Sequence, residues 1–232
     1  MLDPITLAEK GLIPDTLIRR GIRRQLQERL EQEGRDDLNA SERRRREFRQ
    51  ALRQSEIAVN TDDANSQHYE VPAGLFELML GRRLKYSSCW WDDNCNSLDQ
   101  SEDAMLAMYV QRAQLQDGQR ILELGCGWGS FCLWAAEQFP NAEITAVSNS
   151  HGQREFIEAK ALERGLKNLE VITCNVAELQ LSKRFDRIVS IEMLEHVRNY
   201  RELLKNVSQW LEPEGLMFVH IFCHAHLHYP FD

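Results

Sequence analysis

Two carboxylates and an imidazole fall within five residues at Glu192-Met193-Leu194-Glu195-His196. The run follows a strand candidate, Asp186 to Ile191, so all three groups are delivered to one strand end. An imidazole can accept a proton from a nucleophile near neutral pH, and the glutamates can stabilise a cation that arrives or departs. The plainer reading is an acidic cluster opening a helix, where carboxylates offset the positive end of the dipole.

A second stretch, Arg120 to Ser130, reads Arg-Ile-Leu-Glu-Leu-Gly-Cys-Gly-Trp-Gly-Ser. Ile121, Leu122 and Leu124 suit a buried strand, and the apolar run from Phe131 to Gln138 suits a buried helix. Gly125, Gly127 and Gly129 join them in a turn where no Cβ keeps a ligand from the backbone. Such a turn serves dinucleotides, nucleotides and S-adenosylmethionine (SAM) alike. The Gly-x-Gly-x-Gly spacing departs from the dinucleotide fingerprint. Glu123 stands where a carboxylate can reach the ammonium of an amino-acid-like ligand. Both features favour SAM. The next strand candidate, Glu143 to Val147, ends in Ser148-Asn149-Ser150 with Gln153 beyond, and has no acid for ribose hydroxyls. Ser, Asn and Gln can make equivalent hydrogen bonds, and Asn175 after the third strand can bond an adenine edge. Loop capping explains these polar residues equally well.

The elements that must position these groups alternate. Strands are expected at 121–124, 143–147, 169–173, 186–191 and 216–222, and helices from Ser130, over 152–166 and over 200–211. Glu212-Pro213-Glu214-Gly215 is read as a helix stop. This alternation predicts an α/β fold, a Rossmann-like, mostly parallel sheet with helices on both faces and chemistry at the carboxyl ends of the strands. Upstream, residues 4–33 and 41–54 read as helices, with Asp15 as a cap. Residues 60–65 read as a linker, Leu75 to Leu80 as a short helix stopped by Gly81, and Ser97 with Gln100 as a capping box. The domains expected are a helical extension at 1–60, a helical cap over the cofactor site at 61–116 and a cofactor-binding core at 117–232.

The 232 residues carry 28 Lys/Arg and 36 Asp/Glu. Residues 1–53 hold 13 Lys/Arg and 10 Asp/Glu, net +3, which leaves the remainder at 15 against 26, net −11. An acidic catalytic portion argues against a nucleic-acid partner. The arginines of the first helices read as a solvated face, with peripheral contact to an anionic membrane as the alternative. Six cysteines without Cys-x-x-Cys spacing suggest reduced thiols and a cytoplasmic setting. His220, Cys223, His224, His226 and His228 match no trusted metal spacing, so no metal is expected. No run approaches the ~20 apolar residues that cross a bilayer.

The chain also resembles the cyclopropane-fatty-acid synthase/coclaurine N-methyltransferase family. The resemblance rests on Leu-Ala-Glu-Lys-Gly-Leu-Ile-Pro-Asp (7–15), Gln-His-Tyr-Glu-Val-Pro (67–72) and Leu-Lys-Tyr-Ser (84–87). It continues through Ala104-Met105-Leu106, the glycine motif, Phe-Asp-Arg-Ile-Val-Ser-Ile-Glu-Met-Leu-Glu-His (185–196) and Phe-Val-His-Ile-Phe-Cys-His (218–224). It implies a class I SAM-dependent methyltransferase with a helical extension. By family position, Tyr86, Ser87 and Gly125, Cys126 and Gly127 hold the methionine part of SAM. Ser148, Asn149 and Gln153 take the ribose, Asn175 and Val176 the adenine, and Ile191 lines the pocket. Glu192, Glu195 and His196 fall at the acceptor site.

Two departures bear on the branch. The family's cyclopropane synthases hold a bicarbonate base with, among other residues, a cysteine where this chain has Ser88; Cys89 is adjacent, and Glu195 and His220 remain. They also carry glycine at Glu192, where the amine methyltransferases resemble this chain. The resemblance therefore implies N-methylation of a small amine, with methyl or methylene transfer to a lipid alkene as the alternative acceptor chemistry. The family's final strands are also expected after residue 222 and are not seen before Asp232, which motivates a third reading as a non-catalytic SAM-binding fragment. A nicotinamide oxidoreductase ranks last. Nothing in the residues specifies an oligomeric state.

Overall fold

The computed structural model describes residues 4–32, 38–58 and 73–223. The chain divides into two compact units, Met1–Ala51 with Cys223–Asp232, and Leu52–Phe222. The first unit carries α1 (Pro4–Glu9), α2 (Asp15–Gln32) and most of α3 (Leu38–Gln54). The expected helix over 4–33 is thus two helices, separated by a turn at Gly11, whose φ of +68° suits glycine. Asp15 is the first helical residue rather than the cap, and α2 pairs Arg24 with Glu28 one turn on.

In the second unit, α4 (Ala73–Met79) and α5 (Leu98–Ala113) precede the sheet. Ser97 caps α5 as expected, its Oγ accepting the Gln100 N–H, while Gln100 Oε1 turns back to the Asn96 N–H, one residue before the cap, rather than to that of Ser97. Then follow β1 (Arg120–Leu124), α6 (Ser130–Gln138), β2 (Glu143–Ser148), α7 (His151–Glu163), β3 (Leu169–Thr173) and β4 (Phe185–Ile191). A single 3-10 turn at Leu194–His196, α8 (Tyr200–Trp210) and β5 (Leu211–His220) complete the order. The strands form one sheet in the order β3-β2-β1-β4-β5, and every pairing between these five strands is parallel.

Alternating side chains divide the core into two layers. Ile121, Ile144 and Val189 face α5, α6 and α7, packing with Leu106, Phe131 and Ile157. Leu122, Leu124, Val147 and Ile188 face the other way, onto Leu203, Val207 and Trp210 of α8. The pleat places Glu123 on the Ile121 side, inside the first layer.

The expected helix stop at Glu212 to Gly215 is also corrected. Glu212 to Gly215 do not separate helix from strand, because α8 ends at Trp210 and Leu211 already pairs with Phe185. Leu216 pairs with Arg187, so the four intervening residues loop out of the ladder. Proline is tolerated at such a bulge on an edge strand. Glu212 uses the bulge to ion-pair with Arg120. The strand then ends at His220 rather than 222. Helix α7 likewise starts at His151, because Ser150 caps it through the Gln153 N–H, and it ends at Glu163. Residues 60–65 and 67–72 lie outside the described residues.

Candidate active site

The order of strands reverses beside β1: β2 and β3 lie on one side, β4 and β5 on the other. A crevice at the carboxyl ends of the strands is the binding place such a reversal creates. Every strand-end run singled out above sits there: Gly125 to Gly129 after β1, Ser148 to Ser150 after β2, Cys174 to Val176 after β3, Glu192 to His196 after β4 and His220 at the end of β5.

The glycine turn is shaped by backbone bonds. The N–H groups of Gly125 and Cys126 both donate to the Val147 carbonyl at 3.0 Å, tying the turn to β2. Gly125, Gly127 and Gly129 have φ of +81°, +52° and +83°. They are not equivalent. A Cβ on Gly125 would lie 2.5 Å from Met193 Cγ, and one on Gly129 would lie 2.7 Å from Ile157 Cγ1, so packing demands glycine there. A Cβ on Gly127 would meet nothing within 4 Å. Its backbone faces open space at the strand ends, the position from which a ligand is approached.

Glu123 is 2% exposed, and its Oε2 has no hydrogen-bond partner. Burial pushes its pKa up to about 8, opposed by the nearby Cys132 thiol and N–H and by Lys85. A buried carboxylate oxygen left open beside an open glycine backbone fits a cationic ligand group. Ser148 Oγ donates to Gln153 Oε1 at 2.6 Å and accepts the Ser150 N–H, which leaves buried Gln153 Nε2 as an unpartnered donor. Asn149 is exposed at the same strand end. Asn175 Oδ1 accepts the Ala177 N–H in a loop turn, Val176 packs on the second core layer, and Ile191 packs on the first.

The acceptor-side residues meet a segment distant in sequence. Turn 81–85 is held by two acids of α5: Glu102 accepts the N–H groups of Gly81, Arg83 and Lys85, and Asp99 accepts that of Arg82. This fixed turn delivers Lys85, Tyr86, Ser87 and Ser88. Tyr86 is exposed and rests edge-on against Phe76, which also packs on Trp128. Ser88 Oγ donates to Glu192 Oε1 at 3.3 Å, and His220 Nε2 lies 3.9 Å from the same oxygen. Glu192 has a left-handed backbone, φ +48°, and its N–H donates to the His220 carbonyl at 2.8 Å.

Glu195 and His196 occupy the 3-10 turn that follows. Glu195 Oε1 accepts the Phe222 N–H, its Oε2 has no partner, and burial raises its pKa. His196 is half-buried, with its N–H on the Met193 carbonyl at 3.0 Å. The structure thus joins Glu192 to His220, Ser88 and, through that turn, Lys85. Lys85 and Tyr109 were missed in the sequence reading because a lysine after a loop and a tyrosine on an apolar helix face carry no local signal. Among the described residues no cluster of three or more His, Cys, Asp or Glu is placed to hold a metal ion. His224, His226 and His228 lie outside those residues.

Comparison with known proteins puts the site in context. Residues 58–229 match the family model described as mycolic acid cyclopropane synthetase. The chain is 37% identical over 224 residues to (S)-coclaurine N-methyltransferase of Thalictrum flavum subsp. glaucum, covering 97% of this chain and 62% of that protein. It is 31% identical over 156 residues to cyclopropane-fatty-acyl-phospholipid synthase of Escherichia coli (strain K12), covering 66% of this chain and 39% of the relative. The chain therefore spans less than two thirds of the length of these relatives. The crystal structure of coclaurine N-methyltransferase bound to N-methylheliamine and S-adenosylhomocysteine (SAH) superposes with a TM-score of 0.89 at 37% identity, over 96% of this chain and 64% of that one. The sheet order and its flanking helices are those of a class I SAM methyltransferase fold. With three quarters of its length inside the family model, this chain belongs to the mycolic acid cyclopropane synthetase family.

Proposed function

We propose that the chain is a SAM-dependent methyltransferase whose acceptor is a small amine. The observation that carries the amine is Glu192. Its φ of +48° is a conformation suited to glycine, and a residue with a Cβ is strained there. A carboxylate kept at such a position, beside Ser88 and His220, supports a use for its charge. Relatives that methylate an amine support the same acceptor, since coclaurine N-methyltransferase is among them.

The open Glu123 oxygen, the unpartnered Gln153 Nε2 and the bare backbone at Gly127 fit an amino-acid ribonucleoside such as SAM. In this reading Glu123, Gly125, Cys126, Gly127, Tyr86 and Ser87 hold its methionine part. Ser148, Asn149 and Gln153 hold the ribose, Asn175 and Val176 the adenine, and Ile191 lines the pocket. When bound, SAM supplies a methyl group on a sulfonium, whose thioether is a good leaving group. The chain's own part is to align the acceptor nitrogen and exclude water. Glu192 and Glu195 hold the cationic nitrogen, and His196 takes the proton it loses. Residues 61–116 serve as the cap over this cofactor site, on the core of residues 117–232.

The test is Glu192→Gln, which keeps size and removes charge. Turnover of radiolabelled methyl onto amines should fall at least about tenfold, the lower end for a lost charged contact. Unchanged turnover would remove Glu192 from the acceptor site.

A second acceptor, a lipid alkene, is favoured by one feature: Glu195 and His220 stand near each other at the strand ends, as the electrostatic influence of each on the other reflects. Methyl transfer to unsaturated phospholipid in place of amines would establish it. Six free thiols support a reducing, cytoplasmic setting.

A further inference from the structure

The amine reading leaves Lys85, Tyr109 and His220 unused, although all three are drawn toward Glu192. Lys85 is 3% exposed, a costly place for an ammonium unless it is compensated. Its Nζ donates to Ser87 Oγ at 2.6 Å and lies 4.9 Å from the centre of the Tyr109 ring. Tyr109 Oη stands 2.7 Å from His220 Nδ1, and His220 Nε2 stands 3.9 Å from Glu192 Oε1.

The Glu192 end settles the direction. A carboxylate only accepts, so the neutral imidazole carries its hydrogen on Nε2, which faces Glu192, and its Nδ1 is left as an acceptor. The phenol proton therefore goes to Nδ1. Burial acts in the same sense, raising the Tyr109 pKa so that the phenol keeps its proton, and lowering that of His220 so that the ring stays neutral. Burial also lowers the Lys85 pKa, but Cys89, Glu192, Glu102 and Glu123 all favour its charged form.

We propose that Tyr109, donating to Nδ1, fixes His220 as its Nε2–H tautomer, and that this N–H orients Glu192 toward the acceptor. Tyr109 and His220 are positioning residues, acting through Glu192. With Nδ1 occupied by the phenol, His220 has no lone pair free for the substrate proton, which leaves that task to His196. The part concerning the acceptor rests on the amine reading; the tautomer does not.

The experiment is a long-range proton–nitrogen correlation spectrum of the full chain with 15N-labelled histidine, the His220 signals being identified by their loss in His220→Gln. A bare Nδ1 and a protonated Nε2 are expected. Tyr109→Phe keeps the ring and removes the hydrogen bond. It should release His220 into a mixture of tautomers and lower amine kcat about tenfold, as loss of one hydrogen bond permits, with SAH affinity held within about twofold. The wild-type spectrum reports the tautomer by itself, so the result does not hang on one variant folding. A protonated Nδ1 in the wild-type protein overturns the proposal, as does a Tyr109→Phe protein whose tautomer and kcat are both unchanged. A fixed Nε2–H form in a protein that methylates no amine would overturn the role of Glu192 and leave the Tyr109–His220 bond standing. The opposite tautomer in a protein that does methylate amines would overturn the Tyr109–His220 assignment alone.

Discussion

Glu192 and Glu123 are both carboxylates at strand ends, but each is under a different stress. That on Glu192 lies in the backbone, at φ +48°. Glu192→Gly should relieve it and raise stability by about 1 kcal/mol, the typical cost of a left-handed L-residue, while amine turnover falls. Thermal melting and methyl-transfer assays on one sample check both effects. The stress on Glu123 is desolvation. Its pKa stands at about 8 in the folded chain against an ordinary value of 4.5, so the folded state binds the extra proton in that interval. The stabilisation is fully present below about pH 4.5 and is lost as pH rises toward 8. Glu123→Gln should therefore flatten the decline of melting temperature over this window. A cationic ligand reverses the preference, favouring the carboxylate. SAH binding near pH 7 should then release protons, seen by calorimetry in buffers of different ionisation enthalpy, and the release should vanish in Glu123→Gln.

At the scale of elements, the glycine turn separates fold from ligand. Gly125→Ala meets Met193 at 2.5 Å and also carries the strain of a positive φ, so it should cost about 2–3 kcal/mol of stability. Gly127→Ala carries only the strain, about 1 kcal/mol, but its methyl group enters the open space and should weaken SAH binding more than it weakens the fold. Denaturation and calorimetry on both variants show the contrast. Much of this level was legible beforehand, because a strand, a glycine turn and a helix are written in adjacent residues, as is the Ser97 cap. The bulge at Glu212 to Gly215 was not, because pairing with β4 continues past it and outweighs the local stop signal. Nor was the contact of Tyr109 with His220, 111 residues apart, since only the assembled sheet brings α5 to the end of β5. The candidate site was therefore readable as a set of strand ends, and its cross-connections through Lys85 and His220 were not.

At the scale of the whole molecule, charge is spread unevenly along the chain. Residues 1–53 are net positive in a chain of net −8, and α2 exposes Leu17, Ile22 and Leu26 alongside its arginines. We propose peripheral contact with anionic lipid through these helices. Co-sedimentation with anionic vesicles should occur at about 0.1 M salt and disappear by about 0.5 M, where screening shortens the reach of surface charge. Binding that ignores lipid charge would count against it. Among the described residues no helix is long and apolar enough to cross a membrane. The central claim is chemical, and one assay addresses it: the 232-residue chain incubated with methyl-labelled SAM and, in separate reactions, a panel of small amines and unsaturated phospholipid vesicles. Label in an amine product, lost with Glu192→Gln, is the predicted result. Label in the lipid alone, or in neither acceptor from protein that binds SAH, would contradict it.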